Sequence, residues 1–424
     1  MHRKRHVLLL FTAVVVALSF LACNAPPPPS PTSLPSLPSP TVPPVPPSPT
    51  STPTSTVVPP TEMPRAGWLP AGTIALYLAG TWENSRLYAL ASDGTATDLG
   101  QDVQGWAAVS RTGRWTARPG SPYPADSLVI VNLADGTTYT IPATPGFEIY
   151  GAAFDTAETR AAFLELEPPT GEDTPWAIVV ANLADGSTAR FEATARLDSA
   201  LLPGFPIGWS AAGDELFINT FAPATEYGTA GVVGIAMPPG AAPAPVDALA
   251  RRELLVGGTY SSVPRLSPDA TRLFYVARDP DYTPANYEPI AYDVAVNQLW
   301  TLDLASGLPA LLVEVTDGGA LGYDAAWSPD GAQVLFAQGT YAGDTFAGLT
   351  LRVRDGSGAV RDVGSLPLEP QANPSSLDWC APDVALAVVT TADSTYQLHT
   401  IDLASGGTSL VTSGDYVSVL GCIP

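Results

Sequence analysis

The stretch Tyr323–Ala337, YDAAWSPDGAQVLFA, constrains this chain more than any other. It reads as a short apolar strand, a tight polar turn on Ser328-Pro329-Asp330-Gly331, and a second apolar strand. The phrase returns in worn copies. These are GWAAVSRTGRW from Gly105, YGAAFDTAETRAAF from Tyr150, PIGWSAAGDELFI from Pro206, VPRLSPDATRLFYV from Val263, SLDWCAPDVALAVV from Ser376 and a truncated SVLGCIP from Ser418. With Val109, Phe154, Trp209, Leu266, Trp327, Trp379 and Gly421 taken as equivalent, successive copies stand 42 to 61 residues apart. Such periods point to propeller blades or helical arrays. Apolar residues show no helical spacing here, and Gly and Pro recur too often for helices.

A second repeat supplies the rest of each unit. LVIVNLADGTTYTI from Leu128, IVVANLADGSTARF from Ile178, LWTLDLASGLPALL from Leu299 and LHTIDLASGGTSLV from Leu398 each read strand, Asp/Ser-Gly turn, strand; RLYALASDGTATDL from Arg86 is a further copy. Glycine supplies the positive φ of a tight hairpin. Each unit is therefore four strands, a to d, with tight turns at a–b and c–d. Strands such as Val334-Leu335-Phe336 are apolar on both faces, as a sheet sandwiched between two others requires. Four-stranded units arranged radially make an all-β, seven-bladed β-propeller of antiparallel blades. Thr73–Leu78 is a b-type strand with no a strand before it, and the final SVLGC is an a-type strand with nothing after it. Pairing these two ends would close the ring and leave no unpaired edge.

The W-S-P-D-G phrase at Trp327–Gly331, with weaker forms at Leu266–Asp269 and Trp379–Asp383, resembles the a–b turn of TolB-like propellers, relatives of the WD repeats. The resemblance covers Gly72 to Pro424. Members of that family commonly have six blades, which makes six the alternative count. Their membrane-complex members imply a structural, envelope-assembly role as one reading of function.

The N-terminus gives an expected address. Arg3-Lys4-Arg5 precedes an apolar run from Val7 to Ala22, as in a secretory signal peptide over residues 1–22. Leu21-Ala22-Cys23 resembles a bacterial lipobox, which implies acylation of Cys23. Residues 23–64 form a linker rich in Pro, Ser and Thr, with Glu62 its sole charge; such a tract stays disordered and extended. The propeller occupies 65–424. The expected location is the cell membrane, lipid-anchored and facing away from the cytoplasm.

Charge and residue usage limit the chemistry. The formal charge of −22 becomes −25 once Arg3, Lys4 and Arg5 leave with the leader, so phosphate backbones are repelled and no nucleic-acid partner is expected. Lys4 is the only lysine, which removes P-loop, Schiff-base and Ser-Lys chemistry from the mature chain. His399, within a c strand, is its only histidine. With Cys380 and Cys422 alone beside it, no metal site and no cofactor is expected. Those two cysteines fall at the same position of consecutive a strands and are candidates for a disulfide, although equivalent side chains should point the same way around the ring.

Long connections mark where ligands would bind. The a–b and c–d turns are tight (SPDG, LADG, LASG). The connections assigned to b–c (Glu167–Trp176, Phe221–Gly231, Arg278–Gln298, Gln338–Gly348) and d–a (Pro238–Ala250, Leu366–Ser375) are long and should share the other face. The richest, Arg278–Gln298, sets Tyr282, Tyr287 and Tyr292 among Asp279, Asp281, Glu288 and Asp293, suited to stacking on sugars or gripping a protein. The function expected is non-catalytic binding of an envelope protein or extracellular polysaccharide through that face. The alternative is a carboxylate-based, glycoside-active enzyme.

Overall fold

The computed structural model describes residues 69–424 except 121–124, 169–173, 194–201, 222–230, 256–263, 280, 287–294, 344, 367–372 and 424. The leader, Cys23 and the linker lie outside the described residues. The chain forms seven four-stranded antiparallel sheets, each ordered a-b-c-d. Blade 2 runs from Ala108 to Pro142, blade 3 from Glu148 to Ala193, blade 4 from Leu202 to Leu255 and blade 5 from Arg265 to Glu314. Blade 6 runs from Ala320 to Ser365 and blade 7 from Asn373 to Gly414. Blade 1 is composite: Tyr416–Cys422 is its a strand and Thr73–Thr81, Asn84–Ala91 and Ala96–Val103 follow as b, c and d. Seven blades are present, not six.

The turn phrase folds for local reasons. Gly331 takes a φ of 69° and donates its N–H to the Ser328 carbonyl at 2.8 Å. The Ser328 hydroxyl donates to Asp330 at 2.6 Å and accepts the Gln333 N–H at 2.9 Å. Asp330 also accepts the Ala332 N–H at 3.0 Å. Serine, aspartate and glycine thus each hold one part of the reversal. The worn copy at Ser267 keeps the serine bond to the Arg272 N–H at 3.0 Å, while Ala270 bears the positive φ of 54°.

Blades pack through their b and c strands, which face apolar neighbours on both sides. Leu164, Ile178, Leu216 and Ile218 of blades 3 and 4 are fully buried in one cluster; each such side chain contributes about 1.5–3 kcal/mol relative to exposure. Two joints add a cation stacked on an indole. The Arg160 guanidinium of blade 3 lies 4.4 Å from the Trp209 ring centroid of blade 4 and donates to the Gly213 carbonyl in the next a–b turn. Arg272 of blade 5 repeats this on blade 6, 4.6 Å from the Trp327 centroid and 2.6 Å from the Gly331 oxygen.

Ring closure follows the expected pairing. Thr73–Thr81 runs antiparallel to Tyr416–Cys422, from Ala75 opposite Cys422 to Gly80 opposite Tyr416. The Ile423 N–H donates to the Ile74 carbonyl at 2.7 Å. Cys380 and Cys422 are joined by a disulfide, with their Cα atoms 4.7 Å apart, so blade 7 is bonded covalently to blade 1.

Two connections differ from expectation. Pro238–Ala250 joins strand Gly231–Ala236 to Arg251–Leu255, which makes it a c–d connection, with a short 3-10 turn at Val246–Ala248. It therefore lies on the face of the tight turns. Its Pro-rich insertion replaces the Asp-Gly signal by which the other c–d hairpins are recognised. Gln338–Gly348 is not a loop: strands Val334–Ala342 and Thr345–Arg354 pair through it. Elaboration is thus concentrated on the b–c/d–a face without being confined to it.

Candidate functional site

The a strands line a central channel, and the residue before each aligned position faces it. These residues are Ala108, Ala153, Gly208, Arg265, Ala326, Asp378 and Leu420. Small side chains in four of the seven places leave a cavity of ≈ 500 Å³, bordered by the a–b turns of blades 2, 3, 5 and 6. Arg265 reaches across three blades. It donates to Asp324 at 2.6 Å, to Asp378 at 2.6 Å and to the Leu377 carbonyl at 2.9 Å. Asp324 is also held by the N–H groups of Leu377 at 3.0 Å and Ala325 at 2.9 Å.

The electrostatics of this cluster are unusual for carboxylates. Burial drives the Asp324 carboxyl up to about 6, against the pull of Arg265 and with a further push from Asp378. Burial raises Asp378 as well, with Arg265 opposing. Burial works against the Arg265 charge, and the two carboxylates overcome it, so that its pKa rises. A third of the Arg265 side chain remains exposed. One carboxylate oxygen, Oδ2 of Asp378, is buried without a hydrogen-bond partner.

The opposite, b–c/d–a face carries Asp279, Asp281 and Tyr282 of the residues singled out from the sequence. In the 278–297 connection, the Tyr282 hydroxyl donates to the Gly319 carbonyl at 2.8 Å, tying this ring to the loop that leads into blade 6. Asp279 accepts the Asp281 N–H at 3.0 Å and its own N–H donates to Asn297 at 2.9 Å. Tyr287, Glu288, Tyr292 and Asp293 lie outside the described residues. His399 sits in strand Tyr396–Asp402, buried, with its ring 3.1 Å from the Gln397 side-chain oxygen; burial lowers its pKa.

The same face has two features that the sequence did not flag. Between blades 3 and 4, Tyr150, Trp176, Phe205 and Phe221 line an apolar cavity of ≈ 300 Å³. At the joint of blades 7 and 1, Trp82 in the b–c turn of blade 1 is 46% exposed. Its ring stands perpendicular to Tyr416, 5.2 Å between centroids, and Tyr416 packs edgewise on Tyr396 at 6.3 Å. Among the described residues, no group of three or more His, Cys, Asp or Glu side chains is arranged to hold a metal.

No family model matches the chain, and no curated protein matches it. Solved structures match at the level of fold. A puromycin hydrolase complexed with PGG is 15% identical, with 83% of this chain covering 55% of that one at a TM-score of 0.52. A puromycin-hydrolyzing peptidase of Mycobacterium tuberculosis is 18% identical, covering 83% of this chain and 55% of its own, at 0.51. The chain thus spans about half the length of these two enzymes. An oligogalacturonate lyase of Vibrio parahaemolyticus is 10% identical over 81% of this chain and 91% of its own, at 0.50. At these identities the shared property is the propeller.

Proposed function

We propose that this chain is an exported, lipid-anchored binding protein that recognises an envelope protein or an extracellular polysaccharide without transforming it. The observation that carries this reading is the contrast between the two faces. On the tight-turn face, turn side chains such as Ser328, Asp330, Asp135, Asp303 and Asp402 make hydrogen bonds within their own turns. The b–c/d–a face instead presents an exposed indole at Trp82 and the long 278–297 connection, and rigid scaffolds place recognition on such loops. Cys23 would carry the lipid, and the 23–64 linker would hold the propeller away from the membrane. The test is retention of the full-length chain, purified in detergent, on insoluble cell-wall and polysaccharide fractions, alongside crosslinking in native membranes. The absence of both retention and a crosslinked partner would end the recognition reading.

A second reading rests on a different observation. Asp378 and Arg265 line the ≈ 500 Å³ cavity, Asp324 shares that Arg265 and is pushed up to about 6, and a carboxyl that keeps its proton near neutrality can serve as a general acid. A structural neighbour, the oligogalacturonate lyase, is an enzyme on a similar scaffold. Release of reducing or unsaturated sugar ends from plant or bacterial glycans, lost in Asp324→Asn, would favour this reading over pure recognition.

A further inference from the structure

Five large apolar side chains are exposed among the described residues: Trp82, Leu308, Leu311, Val360 and Leu410. Leu311, Val360 and Leu410 belong to d strands, and Leu308 to a c–d turn, so these four are scattered around the outer rim. Single aliphatic residues there need no special explanation. Trp82 differs in being aromatic, in lying on the b–c/d–a face, and in being held rigidly.

The support of Trp82 is specific. Its carbonyl accepts the Gly105 N–H at 2.7 Å. The Asn84 N–H donates to the Thr81 hydroxyl at 3.1 Å, and the Ser85 hydroxyl donates to the Thr81 carbonyl at 2.5 Å, closing the turn on both sides. Gly105 has a φ of 75°, and a Cβ at that position would come within 3.4 Å of the indole. Tyr416 buttresses the ring from the other direction at 88°. Tyr416 lies opposite Gly80 and Tyr396 opposite Gly414, so each tyrosine has room beside a residue without a side chain. An aromatic ring ordered before binding loses little conformational entropy on binding.

We propose that Trp82, backed by Tyr416 and Tyr396, is a stacking subsite for the sugar rings of a neutral extracellular polysaccharide. The proposal rests on the recognition reading and names its site and ligand class. An indole offers a broad apolar face to the C–H face of a sugar ring. Exposed Glu83 and Asn84 follow Trp82 in the chain, exposed Ser413 and Asp415 precede its buttress Tyr416, and these supply acceptors and donors for hydroxyl groups. Neutrality follows from charge. Glu83 and Asp415 are acidic, Arg86 beside them is shared by Asp98 and Asp102, and the mature chain is strongly negative. A uronate-rich or sulfated glycan would be repelled.

The test uses the full-length chain in detergent, with cellulose, curdlan and xylan as neutral probes and polygalacturonate as the acidic one. Retention on at least one neutral glycan, reduced tenfold or more in Trp82→Ala and partly kept in Trp82→Phe at an unchanged Tm, is the expected result. Equal retention of wild type and Trp82→Ala would overturn the subsite and leave glycan recognition standing. Retention on polygalacturonate alone would overturn the ligand class. No retention on any glycan together with a crosslinked envelope protein would overturn the proposal while the broader recognition reading survived.

Discussion

The carboxylates of the tight turns and those of the central channel have the same intrinsic chemistry and opposite environments. At the turns, backbone N–H groups of Thr95, Thr137 and Ser306 lower Asp93, Asp135 and Asp303. Hydroxyls of Ser187, Ser328, Ser357 and Ser405 do the same to Asp185, Asp330, Asp355 and Asp402. In the channel, burial raises Asp324 and Asp378 in spite of Arg265. A turn carboxylate stabilises the fold by being ionised, whereas Asp324 is ionised at some cost to it. Six c–d turns and the a–b turn at Asp330 therefore make a rim that favours neutral pH around a channel that favours mild acid.

Removing the shared cation should give the largest effect. Arg265→Met leaves Asp324 and Asp378 facing one another with no counter-charge. Breaking such a buried network costs about 3–5 kcal/mol, and the lower end applies here because a third of the Arg265 side chain is exposed. Urea unfolding at pH 7.5 measures it. The loss should shrink at pH 5, where one carboxyl takes up a proton; an equal loss at both values would mean that the carboxylates are not coupled.

The whole-molecule pH profile comes next. The folded state holds the Asp324 proton up to about pH 6, and the unfolded chain only to about 3.9. Stability should accordingly rise as pH falls from 7 toward 4.5. The turn carboxylates have the opposite sign: their contribution is complete above the unfolded value and disappears as pH falls through their depressed folded values. Thermal melts from pH 3 to 8 should then peak between about 4 and 6. A monotonic rise up to pH 8 would remove the channel from the account.

A turn carboxylate can be tested singly. Asp330 accepts both the Ser328 hydroxyl and the Ala332 N–H. Asp330→Ala should destabilise by about 1 kcal/mol at pH 7, and the loss should shrink as pH falls through the depressed folded value of this carboxyl.

The fold could be read from the sequence because the turn needs specific residues at specific places. A serine or aspartate and a positive-φ residue (Gly113, Glu158, Gly213, Ala270, Gly331) recur where a and b strands meet in blades 2 to 6, and the composite blade followed from counting strands at the two ends. The channel residues were in principle visible too. Arg265 and Asp378 each precede an aligned position, Leu266 and Trp379, where the other copies carry Ala108, Ala153, Gly208, Ala326 or Leu420. Two charges of opposite sign in a column of small or apolar residues were the signal, and loop length drew attention away from it. Asp324 was harder to find. A register shift between Leu321 and Ala325 moves it toward the channel, and no column alignment predicts a bulge. Trp82 sits in a two-residue connection, and its exposure depends on Gly105 and Tyr416, which lie far from it in sequence.

The smallest expected change is also the sharpest test. Asn at position 324 keeps one oxygen to accept from Arg265 and the Leu377 N–H, which share Oδ2 of Asp324, while its amide NH2 meets the Ala325 N–H and the buried charge is removed. Asp324→Asn should alter stability at pH 7 by no more than about 1 kcal/mol, in either direction. Its signature is in the slope: stability should no longer rise between pH 7 and 4.5, while the acid limb set by the turns stays where it was. Asp330→Asn should do the reverse, lowering stability at pH 7 and preserving the rise. If both variants changed the same limb, the turns and the channel would not be the separate electrostatic regions that their geometry makes them.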